Sequence, residues 1–193
     1  MVNDITKPQA RAAAKARRAA LSPADWQQIG AAMAAKLFAL PLWQQADTVF
    51  CFASMPEEPD TAPILRRALA EGKRLLLPRV LPGAGQMELV CVPDLAALRP
   101  SGRYQIPEPV SGTVVPTGAL GPGTLALIPC VAATRGGVRL GHGGGYYDRF
   151  LAHAKGERLL LCPTALLFDT LPCEALDVRF APAEILTEKG ILL

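Results

Sequence analysis

Eleven residues hold the densest chemistry in the chain: Arg139-Leu140-Gly141-His142-Gly143-Gly144-Gly145-Tyr146-Tyr147-Asp148-Arg149. Three consecutive glycines are entropically costly, so they mark backbone that approaches something closely or takes positive φ. Where such a loop opens a helix, its successive N–H groups form a cradle for phosphate. The plainer alternative is a tight turn. The segment lacks the Gly-Lys-Ser/Thr ending of a Walker loop, and Tyr146 stands where a dinucleotide fingerprint needs its third glycine. Arg135 and Arg139 flank the loop, and Asp148 follows it. An aspartate beside a polyphosphate is repelled unless a cation lies between them, so Asp148 reads as a Mg²⁺ ligand. Its alternative role is an acid in the first turn of a helix, favoured by the helix dipole.

Two further segments follow predicted strand ends with unusual polar content. They are Ser54-Met55-Pro56-Glu57-Glu58-Pro59-Asp60-Thr61 and the proline-rich stretch around Tyr104. Cations gather at the start of the chain. Residues 1–18 hold five (Lys7, Arg11, Lys15, Arg17, Arg18) against Asp4, so this segment is +4 and the remainder −1. At helical periodicity Lys7, Arg11, Lys15 and Arg18 fall within about 80° of arc, one cationic stripe. Ala12, Ala13, Ala16, Ala19 and Ala20 form the opposite, thin face, predicted to lie close against a sheet or another helix.

The elements that must position these residues alternate along the chain. Helices are predicted over about 6–20, from the Ser22 cap to about Ala39, over Thr61–Glu71 closed by Gly72, and over Tyr146–Ala154. Strands are predicted at Thr48–Ala53, Lys73–Leu77, Met87–Val92, Leu125–Cys130, Arg158–Cys162 and Glu184–Thr187, with 99–124 a long irregular connection. Apolar strands that do not alternate, separated by helices, predict one three-layer α/β/α domain over 1–193 with a largely parallel sheet. Ligands of such sheets bind at the carboxyl ends of the strands.

Composition removes other classes. Half of the residues are hydrophobic and 19% are charged, enough for a full core and against disorder. The longest strongly apolar stretch, Leu159–Phe168, is ten residues and holds Pro163, whereas a bilayer needs about 20. The expectation is a cytoplasmic monomer that does not engage membranes. Cysteines 51, 91, 130, 162 and 173 show no Cys-x-x-Cys spacing and sit in apolar settings, as reduced core thiols do. With only His142 and His153 available, zinc and serine-hydrolase chemistry are disfavoured. A nucleic-acid binder using the basic first helix is the rival from another class. It is disfavoured because the remaining chain is net negative and holds few aromatics for stacking. Another phosphate-ligand enzyme on a similar fold is the rival within the class.

The eleven-residue segment resembles the signature of 5-formyltetrahydrofolate cyclo-ligases, and four further landmarks follow in order. Lys7 and Arg11 resemble the family's N-terminal Lys-x-x-x-Arg. Residues 54–61 resemble its acidic substrate segment, with Glu58 at the folate-contacting glutamate. Tyr104-Gln105-Ile106-Pro107-Glu108-Pro109 resembles the segment that supplies an aromatic to the pterin. Leu171-Pro172, Asp177 and Thr187-Glu188 resemble the C-terminal segment. The chain departs from the pattern at Pro129–Thr134 and at Leu166, where the family often carries an aromatic with an aspartate and a glutamine, respectively.

The resemblance implies that ATP and 5-formyltetrahydrofolate give 5,10-methenyltetrahydrofolate, ADP and phosphate, with Mg²⁺ required. It implies Lys7, Arg139 and Asp148 as catalytic residues. Lys7, Arg11, Arg139, Leu140, Gly141, His142, Gly143, Gly144, Gly145, Tyr146 and Tyr147 would bind ATP. Ala53, Met55, Glu58 and Tyr104 would bind the folate together with His142, Gly143, Gly144, Gly145 and Tyr146. Asp148 and Asp177 would hold the metal.

Overall fold

The computed structural model describes residues 5–83, 85–101 and 105–192. Its first helix, α1 (Lys7–Ala19), opens on a capping box in which Thr6 and Gln9 satisfy each other's backbone N–H groups. The second, α2 (Pro23–Phe38), opens on the same device built from Ser22 and Asp25, with Pro23 in the first turn. A short α3 (Pro41–Gln45), which the sequence reading passed over, leads into β1 (Thr48–Phe50). Then come α4 (Ala62–Ala70), β2 (Arg74–Val80) and β3 (Met87–Cys91). The remaining strands are β4 (Leu98–Ser101), β5 (Ile106–Pro109), β6 (Thr113–Val115), β7 (Thr124–Pro129), β8 (Ala132–Thr134) and β9 (Arg139–Leu140). After α5 (Tyr146–Leu151) follow β10 (Glu157–Leu161), β11 (Leu167–Phe168), β12 (Ile185–Thr187) and β13 (Gly190–Ile191).

Eight strands form the main sheet in the order β13-β12-β10-β7-β1-β2-β3-β6. The five from β12 to β2 pair in parallel, and the three outer strands are antiparallel. The largely parallel sheet is therefore as expected. On one face α2, α3 and α4 bury Met33, Leu37, Trp43 and Ile64 against Val49, Leu75, Leu125 and Leu159. On the other, Phe150 and Leu151 of α5 join Trp26 and Phe180 over Phe50, Leu76, Ile128 and Leu160. Strand residues alternate between two apolar layers, which is why their sequences read as continuous apolar runs.

Besides α3, the short strands β8, β9, β11 and β13, and an α5 that ends at Leu151 and not at Ala154, four details differ from the sequence reading. β1 stops at Phe50, and residues 51–61 leave the sheet as a loop. β2 runs through Pro78, because β1 ends opposite Leu76 and beyond it β2 is an edge toward that side, where proline is tolerated. The 99–124 connection contains β5, β6 and most of β4; β4 and β5 form a two-stranded ribbon whose outer sides need no ladder donors from its prolines.

The fourth correction is the largest. The alanines of the predicted thin face, Ala12, Ala13, Ala16, Ala19 and Ala20, are all exposed. The docked side of α1 is the cationic one: Ala10, Ala14 and Arg18 are buried, packed with Val131, Leu140 and Leu171 beside the small sheet β11-β8-β9. A stripe of charge can face inward here because each inward cation meets oxygen atoms, as the next section details.

Candidate active site

A cleft of about 880 Å³ opens at the carboxyl ends of β1, β2 and β7. Every described residue that the sequence reading named as a site residue lines it: Lys7, Arg11, Ala53, Met55, Glu58, Arg139 to Asp148 and Asp177. Tyr104 lies outside the described residues.

At one end stand the charges. Lys7 Nζ donates to Asp177 Oδ1 at 2.8 Å and lies 3.1 Å from Glu174 Oε2. Burial opposes the charge on Lys7, but hydrogen bonds and charges from Asp177 and Glu174 outweigh it and raise its pKa above the usual lysine value. Burial likewise opposes ionisation of Asp177, yet the bond from Lys7 and the N–H of Glu174 hold its carboxyl below the usual range. Arg11 Nε donates to the Gly141 carbonyl at 2.8 Å. Arg18, the third inward cation, donates to the carbonyls of Glu57 and Cys130, each at 2.7 Å, so it ties α1 to two site loops and is not available to a ligand. Lys15 remains exposed.

The glycine loop is shaped by these contacts. Gly143 (φ 101°) and Gly145 (φ 67°) adopt conformations that favour glycine. A Cβ at Gly144 would lie 2.3 Å from Tyr146 Cε2. The carbonyls of Gly141 and Gly144 turn to Arg11 and Arg149, and no acceptor among the described residues is matched to the N–H groups of Gly143, Gly144 and Gly145. That leaves successive donors on the cleft wall, the cradle expected from the three glycines.

Arg139 lies beneath the loop with its side chain 4% exposed; it donates to Asp148 Oδ2 at 2.8 Å, and its buried Nε has no hydrogen-bond partner among the described residues. Asp148 also accepts from Val178 N–H at 3.4 Å, which brings the Asp177 segment to it. Asp148 thus occupies the first turn of α5 and pairs with a buried cation at once. Among the described residues no cluster of three or more His, Cys, Asp or Glu side chains could hold a metal alone. One or two carboxylates completed by phosphates and waters are the usual magnesium arrangement. Asp148 and Asp177 are two carboxylates of that kind, paired here with Arg139 and Lys7.

The other end of the cleft is apolar, walled by Phe52, Pro78, Val80, Met87 and Ile106. Glu58 is 6% exposed here, not the surface acid that its loop position would suggest; its Oε2 accepts from Met55 N–H at 3.0 Å, and Oε1 lies 3.7 Å from His142 Nε2. The half-buried Tyr147 packs between Phe50 (centroids 6.3 Å apart) and Arg139. Desolvation, then the charge of Glu58, pushes its phenol above the ordinary range. Buried Cys51 is likewise pushed up, to about 12, by desolvation, as a core thiol should be.

Three contributors escaped sequence reasoning. Glu174 carried no signal. Arg149 sat inside the signature without a role, yet it donates to Gly85 O at 2.8 Å and to Gly144 O, joining the β2–β3 turn to the glycine loop. Glu108 is buried in the apolar wall.

Comparison with known proteins gives a single answer. The sequence profile of the 5-formyltetrahydrofolate cyclo-ligase family matches residues 3–188. The 5-formyltetrahydrofolate cyclo-ligase of Escherichia coli K12 is 32% identical over 179 residues, 90% of this chain and 96% of that protein. The solution structure of Aquifex aeolicus 5,10-methenyltetrahydrofolate synthetase superposes with a TM-score of 0.82 at 29% identity, covering 97% of this chain and 92% of that one. A Mycoplasma pneumoniae 5,10-methenyltetrahydrofolate synthetase shares the fold with a TM-score of 0.73 at 18% identity, over 95% and 99% of the two chains.

Proposed function

The chain belongs to the 5-formyltetrahydrofolate cyclo-ligase family, and from that premise we propose that it converts 5-formyltetrahydrofolate and ATP to 5,10-methenyltetrahydrofolate, ADP and phosphate. The observation that carries the reading is convergence. One cleft brings together a cradle of N–H groups unmatched among the described residues, the cations Lys7, Arg11 and Arg139, the carboxylates of Asp148, Asp177 and Glu174, and an apolar wall with the buried acids Glu58 and Glu108.

The chemical difficulty is that a formamide carbonyl is a poor electrophile and its oxygen a poor leaving group. Transfer of the γ-phosphoryl to the formyl oxygen forms an O–P bond, breaks the bond to ADP and gives an imidate phosphate. N10 then attacks the activated carbon and loses its proton. The C–O bond breaks, and phosphate carries away what was the formyl oxygen. This asks for little covalent chemistry from the protein; position and charge neutralisation supply most of the effect.

The residues divide accordingly. Lys7, Arg11 and Arg139 neutralise the triphosphate while the glycine loop cradles it. Glu58 accepts from the N–H edge of the pterin, Tyr104 packs on its ring system, and Ala53, Met55 and Tyr146 line the folate. Asp148 and Asp177 hold Mg²⁺, which when bound with the nucleotide supplies charge neutralisation at the phosphates.

The test is product absorbance. The methenyl chromophore should appear only when folate, ATP and Mg²⁺ are all present, with one phosphate released per ring closed. Turnover without ATP, or ATP hydrolysis indifferent to folate, would refute the reading.

A further inference from the structure

Two buried carboxylates line the cleft, Glu58 and Glu108, 6% and 8% exposed. They are built alike. Glu108 Oε2 accepts from Val80 N–H at 3.2 Å, as Glu58 Oε2 accepts from Met55 N–H at 3.0 Å. In each, a backbone donor fixes the carboxylate through one oxygen; the second oxygen of Glu58 lies 3.7 Å from His142 Nε2. Oε1 of Glu108 has no hydrogen-bond or ion-pair partner among the described residues. Two nearby cations are engaged elsewhere: Arg99, opposite Glu108 in the β4-β5 ribbon, donates to the carbonyls of Ala96 and Leu98, each at 2.7 Å, and Arg79 of β2 lies 2.6 Å from Glu88 and donates to the Pro109 carbonyl at 3.3 Å. Around Glu108 the cleft is walled by Pro78, Val80, Met87 and Ile106. An ionised carboxylate has about four acceptor sites, and burying one with a single backbone donor and no cation is unfavourable. A ligand with N–H groups would complete it.

We infer that Glu108 is a second recognition carboxylate for the pterin, accepting one N–H of the exocyclic 2-amino group while Glu58 takes the other side of the same edge. The inference rests on the folate reading above. A carboxylate with one oxygen held by backbone reads a donor through its remaining oxygen. Two such carboxylates match an amino group whose two N–H bonds diverge. The formyl-bearing N5 lies across the ring system from that amino group. Gripping the amino end therefore directs the reacting carbonyl away from the two carboxylates. Nothing in the local sequence marks Glu108, because its burial arises only when the cleft walls assemble.

The experiment uses the full chain with 5-formyltetrahydrofolate and with its counterpart carrying a 2-methyl group in place of the 2-amino group. Glu108→Gln keeps an oxygen for Val80 N–H but sets an N–H donor against the ligand's donor. The KM for 5-formyltetrahydrofolate should rise about 10- to 100-fold, the range for hydrogen bonds to charged groups. The KM for ATP should stay unchanged, and the preference for the amino over the methyl substrate should fall by the same factor as the folate KM rises. That preference is a ratio within one preparation, so partial unfolding does not alter it. A Glu108→Gln protein with undiminished preference overturns the inference, whatever its Tm, and leaves the folate reading standing. Failure of the unaltered protein to form methenyl product overturns that reading and the inference with it.

Discussion

Lys7 and Lys15 share one helix, yet their surroundings separate them. Lys7 is fixed between Asp177 and Glu174 on the cleft wall, and Lys15 is exposed and outside that wall. Lys7→Ala should raise the KM for ATP about tenfold to a hundredfold, or lower kcat if the contact tightens in the transition state. Lys15→Ala should do much less, and equal losses would favour a nucleic-acid face over an ATP site. The ion pair also sets a pH dependence. A depressed acid contributes stability above its unfolded pKa, and a raised base contributes it below its own. The pair's stabilisation is therefore constant from about pH 5 to pH 10, lost as pH falls through the folded value of Asp177 and as it rises through that of Lys7. The Tm deficit of Asp177→Asn should be steady across neutral pH and shrink on acidification toward about pH 3; a deficit independent of pH would show that the pair does not stabilise through charge. Asp148→Asn should abolish most activity. Because it strips a nearly buried Arg139 of its charge partner, it should also lower stability by about 1–3 kcal/mol. A fully active variant would return Asp148 to a helix-end role.

At the scale of elements, α1 is the unusual one. Its buried apolar contribution is little more than two alanines, so apolar burial holds it weakly, at about 25 cal/mol per Å² of small area. Its attachment rests on polar ties: Lys7 to Asp177, Arg11 to the glycine loop, Arg17 to the Leu167 carbonyl and the Phe168 ring, and Arg18 to the carbonyls of two other loops. Two of those four ties are made by the residues assigned to ATP, so the docking of α1 and the shape of the phosphate end are one arrangement. Ala14→Leu, at a fully buried position, should push the helix away, raising the KM for ATP and lowering Tm by several degrees. Ala13→Leu, at an exposed one, should change neither. The reverse result would restore the face that the sequence suggested. That misreading has a physical origin. Polarity patterning assumes that charge faces water, and a stripe of cations facing carbonyl and carboxylate oxygens looks the same in sequence. The helix itself was legible, as was α2, because capping boxes are local. The strands within 99–124 were not, since short edge strands tolerate the prolines that usually signal loops.

Taken whole, the molecule places its cleft where a parallel sheet offers one, beyond the carboxyl ends of β1, β2 and β7. The parallel order and the two apolar layers could be read from the continuous apolar runs. The convergence of Lys7, Glu58, the glycine loop and Asp177 could not be read from spacing, because it joins segments up to 170 positions apart. Only the resemblance of ordered landmarks anticipated it. Burial of Glu58 and Glu108 was invisible for the same reason: burial is a property of the assembled walls and not of the local sequence. What the assembled cleft is proposed to do is place a γ-phosphoryl group on a formyl oxygen and let ring closure expel it. That claim is tested most directly by following the oxygen. With 5-formyltetrahydrofolate carrying a heavy oxygen isotope in its formyl group, the label should appear in the released inorganic phosphate, one labelled oxygen for each ring closed. Phosphate without label, with the heavy oxygen recovered in water, would contradict the phosphorylated intermediate and the arrangement of the cleft built around it.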